Sequence, residues 1–303
     1  MSRDIDFSVI IPHSNAPQFL PRLLHSIPSS DKIEIIIIDN SPTPITKKDI
    51  GVDKDYTLLY SSPRRGAGGA RNVGVDHAKG KWLIFVDADD YLSEKAFDIF
   101  YAHLHEEAEV IYFCSDCVFS DTQEHSDRSD VFNRMVKDYL DGEIPEEKIR
   151  THFFTPWPKM VSHALVQQHE LRFDEVVASN DVYFSMLIGF HASKIKAVDE
   201  IVYIATVNKG SLTMRHDSAV ILARFEVYLR FNRFIRSKGL GKYQRSVMYL
   251  LVRALKCGFS TFCACLNLML RYRQNPFVGA TKWGKAALNI WEKNRKYQKY
   301  ITR

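Results

Sequence analysis

The chain of 303 residues is short of several things, and each shortage removes a class of protein. No apolar run reaches the ~20 residues a helix needs to cross a bilayer, and Met1 to Asp6 carry no secretory pattern. Cysteine is sparse: five residues, an odd number, without the spacing of a disulfide framework. Cys114-x-x-Cys117 has no second Cys or His pair nearby to complete a zinc site. Together these features predict a protein of the reducing cytoplasm. There is no internal repeat and no low-complexity tract. Acid is missing from one end. Between Arg236 and Arg303, Glu292 stands alone against fifteen Lys or Arg, whereas the first 235 residues hold 26 basic and 35 acidic ones. An acidic body joined to a cationic segment predicts a polyanionic surface as partner.

What is present begins as an alternation of strands and helices. Phe7-Ser8-Val9-Ile10-Ile11 reads as a strand stopped by Pro12, followed by a helix from about Pro17 to Ser26. Glu34 to Ile38 and Thr57 to Tyr60 are the next strands, and Arg64-Arg65-Gly66-Ala67-Gly68-Gly69 leads into a helix ending near Lys79. A fourth strand ends at Asp87, a helix is expected over about Ser93 to Glu107, and a strand over Glu109 to Val118. Such alternation predicts an α/β sheet, mainly parallel, with helices on both faces. Ligands of these sheets bind beyond the carboxyl ends of the strands, which sets Pro12 to Asn15, Asp39 to Ser41, the glycine loop and Asp87 to Asp90 on one rim. Past a polar stretch, Ser120 to Asp130, read as a flexible loop, helical patterns resume. Asn180 or Ser179 is the expected cap of a helix carrying Asp181 in its first turn. Ile201 to Val207 is strand-like, and the chain from His216 onward reads as helical.

The chemistry concentrates in Asp87-Ala88-Asp89-Asp90, three carboxylates at the end of an apolar strand. Such charges are costly at a core edge unless something positive meets them. A divalent cation carrying a phosphorylated ligand meets that need; a solvated, helix-capping turn is the plainer reading. Gly66, Gly68 and Gly69 fit either a backbone nest for an anion or a tight turn.

Taken in order, Ser8-Val9-Ile10-Ile11-Pro12, Asn15, Ile36-Ile37-Ile38-Asp39, Gly69-Ala70-Arg71-Asn72-Val73-Gly74, Ala78-Lys79-Gly80 and Phe85-Val86-Asp87-Ala88-Asp89-Asp90 resemble the family-2 glycosyltransferases of the GT-A fold. The resemblance is close over about residues 5 to 105 and looser through Trp157-Pro158-Lys159, Leu171 to Glu175 and Asn180-Asp181-Val182 to Ser211. It implies a GT-A-like nucleotide-sugar-binding sheet with helices on both faces over 1–215, with a donor half to about 118 and an acceptor half after it. A basic helical C-terminal region, 216–303, follows. It implies a donor site of Pro12, Asn15, Asp39, Arg71, Asp87, Ala88 and Asp89. Asp39 would read uracil, Arg71 support base or diphosphate, Asp87 contact ribose, and Asp89 hold manganese or magnesium on the diphosphate. Asp90 would serve the metal or the turn, and Asp181 would be the general base of an inverting transfer. Lys159, in a Trp-x-Lys setting, matches a position near the diphosphate or acceptor. His216, after Ser211 to Thr213, is a candidate to approach the donor phosphates or metal, an exposed loop histidine being the plainer reading.

The sequence also departs from the family. His13-Ser14 replaces a common Thr-Tyr, so that either His13 would stack on the base or the nucleobase pocket would differ. Asp39-Asn40-Ser41-Pro42 replaces Asp-Asp-Gly-Ser, and Asn180 replaces a second acid. The Gln-x-x-Arg-Trp motif of processive synthases is absent, which implies transfer of one or a few sugars. The expected partners are a nucleotide-sugar donor, UDP-hexose first, and a glycan or lipid-linked glycan acceptor of surface polysaccharide. A nucleotidyltransferase is the alternative enzyme, although its usual Gly-rich basic loop after the first strand is missing. A catalytically weak glycan-binding scaffold is the non-enzyme alternative.

Arg245, Arg253, Lys256, Arg271 and Arg273 surround an uncharged run of fourteen residues, Cys257 to Leu270, which suits a core or interfacial helix. Lys282, Lys285, Lys293, Arg295, Lys296 and Lys299 are interleaved with Trp283, Trp291, Tyr297 and Tyr300. This pattern predicts a peripheral protein on the anionic inner face of the cell membrane. A packed bundle with a solvated face, or a homodimer arm, is the plainer reading, and no nucleic-acid module accompanies the charge.

Overall fold

The structure, a computed structural model, describes residues 4–208 and 217–279. Eight strands form one sheet: β1 (Phe7–His13), β2 (Ile33–Asp39), β3 (Thr57–Tyr60), β4 (Trp82–Phe85), β5 (Tyr91–Leu92), β6 (Val110–Phe119), β7 (Lys159–Ser162) and β8 (Ile195–Val207). Their order is β3-β2-β1-β4-β7-β6-β8-β5. Pairings among β1 to β4 and between β6 and β8 are parallel, whereas β7 runs antiparallel to both β4 and β6, and β5 antiparallel to β8. The helices are α1 (Leu20–His25), α2 (Lys47–Ile50), α3 (Gly66–His77), α4 (Ala96–Ala102), α5 (Asp130–Leu140), α6 (Glu146–His152), α7 (His163–Gln168), α8 (Val182–His191), α9 (Ser218–Ser237), α10 (Met248–Lys256) and α11 (Phe259–Arg271).

The continuous apolar runs of β1 and β2 follow from burial on both faces. Ile10, Ile36, Ile38 and Phe85 point toward α3, where they join Ala70 and Val75 in one core. A Cβ on Gly74 of α3 would lie 2.4 Å from Ile10 Cγ2, so the missing side chain is what lets the helix rest on the sheet. On the opposite face Phe7 meets Phe97, Phe100 and Tyr101, with ring centroids 5.9, 6.1 and 5.0 Å away. Burial of Phe7, Phe97 and Phe100 contributes about 1.5–3 kcal/mol each.

Pro12 positions the site. β1 lies between β2 and β4, at the point where the chain order of the sheet reverses. The last bond joining β4 to β1 runs from the Val86 N–H to the Ile10 carbonyl, 3.1 Å. The next rung on that side belongs to Pro12, which has no N–H to give. β1 and β4 therefore part, while β1 continues along β2 to the pairing of His13 with Asp39. Asp87 to Asp90 emerge into the resulting crevice.

Several boundaries differ from the sequence reading. β5 and β7 were not expected, β8 starts six residues before Ile201, and the helix expected over 93–107 is only α4. The stretch 120–130 contains a turn closed by the Phe119 N–H on the Glu124 carbonyl, 2.9 Å. α8 begins at Val182 with Asp181 at its cap position and no side-chain capping bond, which corrects the expected capping by Asn180 or Ser179.

By compactness the chain divides into a unit of residues to Val176 with Asn180–Asn208, and a unit of Val177–Ser179 with residues from 209 onward. In the second, α9, α10 and α11 enclose Ile221, Phe225, Leu229, Leu250, Ala254, Cys265 and Met269. Asp217 caps α9 by accepting from the Val220 N–H, 3.1 Å.

Candidate active site

At the β2 end, Asp39 is 1% exposed and surrounded by donors. Oδ1 accepts from the Ser41 hydroxyl at 2.6 Å, the Ser41 N–H at 3.1 Å and His13 Nδ1 at 2.9 Å, and Oδ2 from the Ile45 N–H at 2.9 Å. The Ala16 N–H donates to His13 Nε2, 3.2 Å, which leaves Nδ1 as the nitrogen carrying the hydrogen toward Asp39. Burial pushes the Asp39 carboxyl up, but the bonds from Ser41, Ile45 and His13 outweigh it and hold it below the usual range. The stacking role expected of His13 is corrected: its ring is buried and both nitrogens are engaged within the protein. Oδ2, with a single donor, is the oxygen that retains acceptor capacity. Asn15, with φ 56°, takes a left-handed conformation that Asn tolerates, and its N–H donates to Ser41 Oγ at 2.8 Å.

At the β4 end the acids are less well served. Asp87 pairs through Oδ1 with Arg71, and its Oδ2 accepts from Trp157 Nε1 at 3.2 Å. Trp157 stacks on Tyr203, centroids 4.6 Å apart and planes 3° from parallel. Ala88 is buried between the acids. Asp89 accepts from Asn208 Nδ2 at 2.7 Å, and its carbonyl holds Arg22 Nη2 and the Thr206 hydroxyl at 2.6 and 2.7 Å. Burial, then the charge of Asp87, raises the Asp89 carboxyl. Asp90 turns inward, accepting from the Tyr203 hydroxyl at 2.6 Å and the Thr206 N–H at 2.7 Å. Burial, then Asp89 and Asp87, push it well above the ordinary carboxylate range. Arg128, whose guanidinium donates to the Thr206 carbonyl at 3.3 Å, opposes that push.

Arg71 links the rim to α8. Its buried guanidinium donates to Asn180 Oδ1 at 2.8 Å, pairs with Asp87, and lies over the Phe173 ring at 5.3 Å. α3 can bring it there because Gly68 packs onto the loop before α8: a Cβ would lie 1.9 Å from the Asp174 carbonyl oxygen. Close approach thus accounts for Gly68. The Asp181 carbonyl accepts from the Ser185 N–H at 2.8 Å, whereas its side-chain carboxylate, next to Asn180, is left without a hydrogen-bond donor from another described residue. Its carboxyl is raised by burial first and by Asp87, against Arg71 and Lys159. An acid at position 180 is therefore not needed to lift it, and Asn180 serves Arg71 instead.

Lys159 Nζ is buried and donates to the Phe153 and Thr155 carbonyls, both at 2.7 Å, with aromatic rings of Phe153 and Tyr112 4.8 and 5.3 Å away. Burial holds its amine well below the usual range. This corrects the expected diphosphate or acceptor contact: the amine ties a loop beneath Asp181. His216 lies outside the described residues.

Among the described residues no three His, Cys, Asp or Glu side chains converge as a metal cage. The hard oxygen ligand on offer is instead Asp89, its carboxyl raised by burial and then by the charge of Asp87. That fits a magnesium or manganese ion completing its shell from phosphate oxygens and water. Sequence reading missed Arg22, Arg128, Tyr203, Thr206 and Asn208. Only Tyr203, a hydroxyl in an apolar strand pattern, carried a signal, since such a group needs a partner when buried.

The comparisons with known proteins agree with this architecture. Residues 8–169 match the family model described as glycosyl transferase family 2. The Bacillus subtilis (strain 168) uncharacterized glycosyltransferase EpsJ is 28% identical over 219 residues, covering 68% of this chain and 62% of that protein. The Staphylococcus aureus poly(ribitol-phosphate) β-N-acetylglucosaminyltransferase TarS is 25% identical over 214 residues, 67% of this chain and 36% of its own length. The chain thus spans about a third to two thirds of the length of these curated relatives. In fold it is similar to S. aureus TarS 1–349 in complex with UDP-GlcNAc, with TM-score 0.58, 20% identity and coverage of 90% and 75%. It is also similar to the mannosyltransferase PcManGT from Pyrobaculum calidifontis in complex with GDP-Man and Mn2+, with TM-score 0.56, 18% identity and coverage of 99% and 84%. These two likenesses show a GT-A glycosyltransferase fold. With a family match extending over more than half of its length, the chain belongs to glycosyl transferase family 2.

Proposed function

We propose that the protein is an inverting, metal-dependent glycosyltransferase that moves a sugar, UDP-hexose being the favoured donor, to a glycan or lipid-linked glycan acceptor in surface polysaccharide synthesis. The observation that carries the reading is the placement of Arg71 between Asp87 and Asn180, beside the unpartnered carboxylate of Asp181. Asp181 takes the proton from the acceptor hydroxyl as that oxygen attacks the sugar carbon, and its raised carboxyl suits a base working near neutrality. Asp87, held by Arg71 and Trp157, orients the donor's ribose. The frame of Pro12, His13, Asn15 and Asp39 shapes the wall against the nucleobase. Manganese or magnesium held by Asp89 would neutralise the charge that develops on the departing diphosphate. The donor site is assigned to the first 118 residues, the acceptor side to those up to about 215. The basic region beyond would bring the enzyme to an anionic membrane face.

The test is donor turnover, read as released nucleotide, by Asp89→Ala and Asp181→Asn proteins. Both are expected to lose transfer while retaining the fold. Wild-type rates in both would sink the mechanism. Calorimetry with UDP and manganese separates the enzyme from a scaffold, which would bind no nucleotide in a metal-dependent way.

A further inference from the structure

α11 has two apolar faces, and its own unit buries one. Thr261, Cys265 and Met269 point into the helical core, whereas Phe259, Cys263, Leu266 and Leu270 recur at i, i+4, i+7 and i+11 on the outside. At 100° per residue these four lie within an arc of about 60°. Phe259 is 73% exposed and Leu270 78%, and α10 adds Val252 and Leu255, each more than half exposed. Single exposed hydrophobes are ordinary; a stripe running the length of a thirteen-residue helix is not.

The charge around the stripe identifies what covers it. From Arg236 to Gly279 the sequence holds eight Lys or Arg and no acid. Arg253 and Lys256 stand on α10, Arg271 ends α11, and Arg273 follows it. A second copy of this unit would bring like charges together around the apolar contact. An anionic lipid surface instead accepts the apolar stripe among its acyl chains and the cations among its headgroups. Among the described residues no helix is long and apolar enough to cross a bilayer.

We propose that the outer face of α11, extended by Val252 and Leu255 of α10, lies in the interface of an anionic membrane. This inference deepens the membrane association within the proposed function by assigning it to a folded apolar stripe rather than to the basic tail. It does not depend on the assignment of Asp89 or Asp181.

The experiment is flotation of the full-length protein with phosphatidylglycerol/phosphatidylcholine vesicles and with phosphatidylcholine alone. Wild type is expected to float with the anionic vesicles and to remain behind with the neutral ones. Phe259→Ser/Leu266→Ser/Leu270→Ser should weaken partitioning by about tenfold or more. Arg271→Gln/Arg273→Gln should weaken it by about fivefold per cation near the surface. Removal of 280–303 should leave most of the stripe's contribution in place. Undiminished flotation of the triple variant would overturn the proposal, as would loss of binding only on removal of 280–303. A wild-type dimer that the triple variant converts to monomer, by light scattering, with flotation unchanged, would assign the stripe to a second copy and also overturn it. UDP/manganese calorimetry on the same triple variant should match wild type, so failure of the donor-site reading is seen separately.

Discussion

The two ends of the rim treat carboxylates in opposite ways. At the end of β2, Asp39 is enclosed by four donors from its own loop and His13, and its carboxyl is held low. At the end of β4, Asp87, Asp89 and Asp90 crowd within four residues; burial and then Asp87 raise Asp89, and burial and then Asp89 and Asp87 raise Asp90. A satisfied carboxylate is a building material, because it orders the chain around it and asks for nothing from outside. Crowded carboxylates are a demand for positive charge. The contrast separates frame from working site without reference to any relative.

The comparison can be broken most severely at Asp181 and Asp89, the groups left to act on what enters. Asp181→Asn is expected to lower kcat by about 10²–10⁴ with the melting temperature near wild type. The acid limb of the wild-type kcat profile should lie above the ordinary Asp value of 3.8, since in the proposed transfer Asp181 works ionised and its carboxyl is raised. A limb at or below that value would remove burial as the source of its basicity. Asp39→Asn tests the frame: loss of about 1–3 kcal/mol of stability, measured by urea unfolding, with donor KM little changed. Asp39 contributes stability that is present above pH 3.8 and lost as the pH falls through its lower folded value. A large rise in KM with unchanged stability would instead make Asp39 a direct reader of the base.

Arg128→Gln takes away the cation opposing the β4 acids, and the expected effect is smaller, a rise of about fivefold in donor KM that added divalent metal reduces. The smallest effect is expected at Asp90→Asn. Its raised carboxyl gives stability below pH 3.8 that is lost as the pH rises toward the folded value, so removing the charge at neutral pH relieves that cost. Urea unfolding at pH 7 should move by less than about 1 kcal/mol. A loss equal to that of Asp39→Asn would erase the distinction between the two ends.

Much of this was readable in the chain. β1 to β4 are runs of Ile, Val, Leu and Phe bounded by Pro, Asp and Gly, and their order alone put Asp39, the glycine loop and Asp87 on one rim; Arg71 was singled out by the family resemblance. β5 and β7 escaped because two and four residues are too short to show a period, and β7 opens on a lysine. Lys159 was legible as a position but not as a role, because its amine is used by carbonyls at 153 and 155 that no side-chain pattern announces. Arg128 sits in a polar stretch that looks solvated, and only the folded turn carries it back to Thr206. Asn180 read as a departure from a pattern and proves to be a partner of Arg71.

The missing hydrogen of Pro12 also acts as a register lock. If β4 slid two residues further along β1, Phe85 would stand beside Pro12 and the rung now absent would be required. Pro12 cannot supply that rung, so the slipped alignment loses a bond. The position of the acidic turn is thereby fixed while the sheet zips, before any ligand is present to select it.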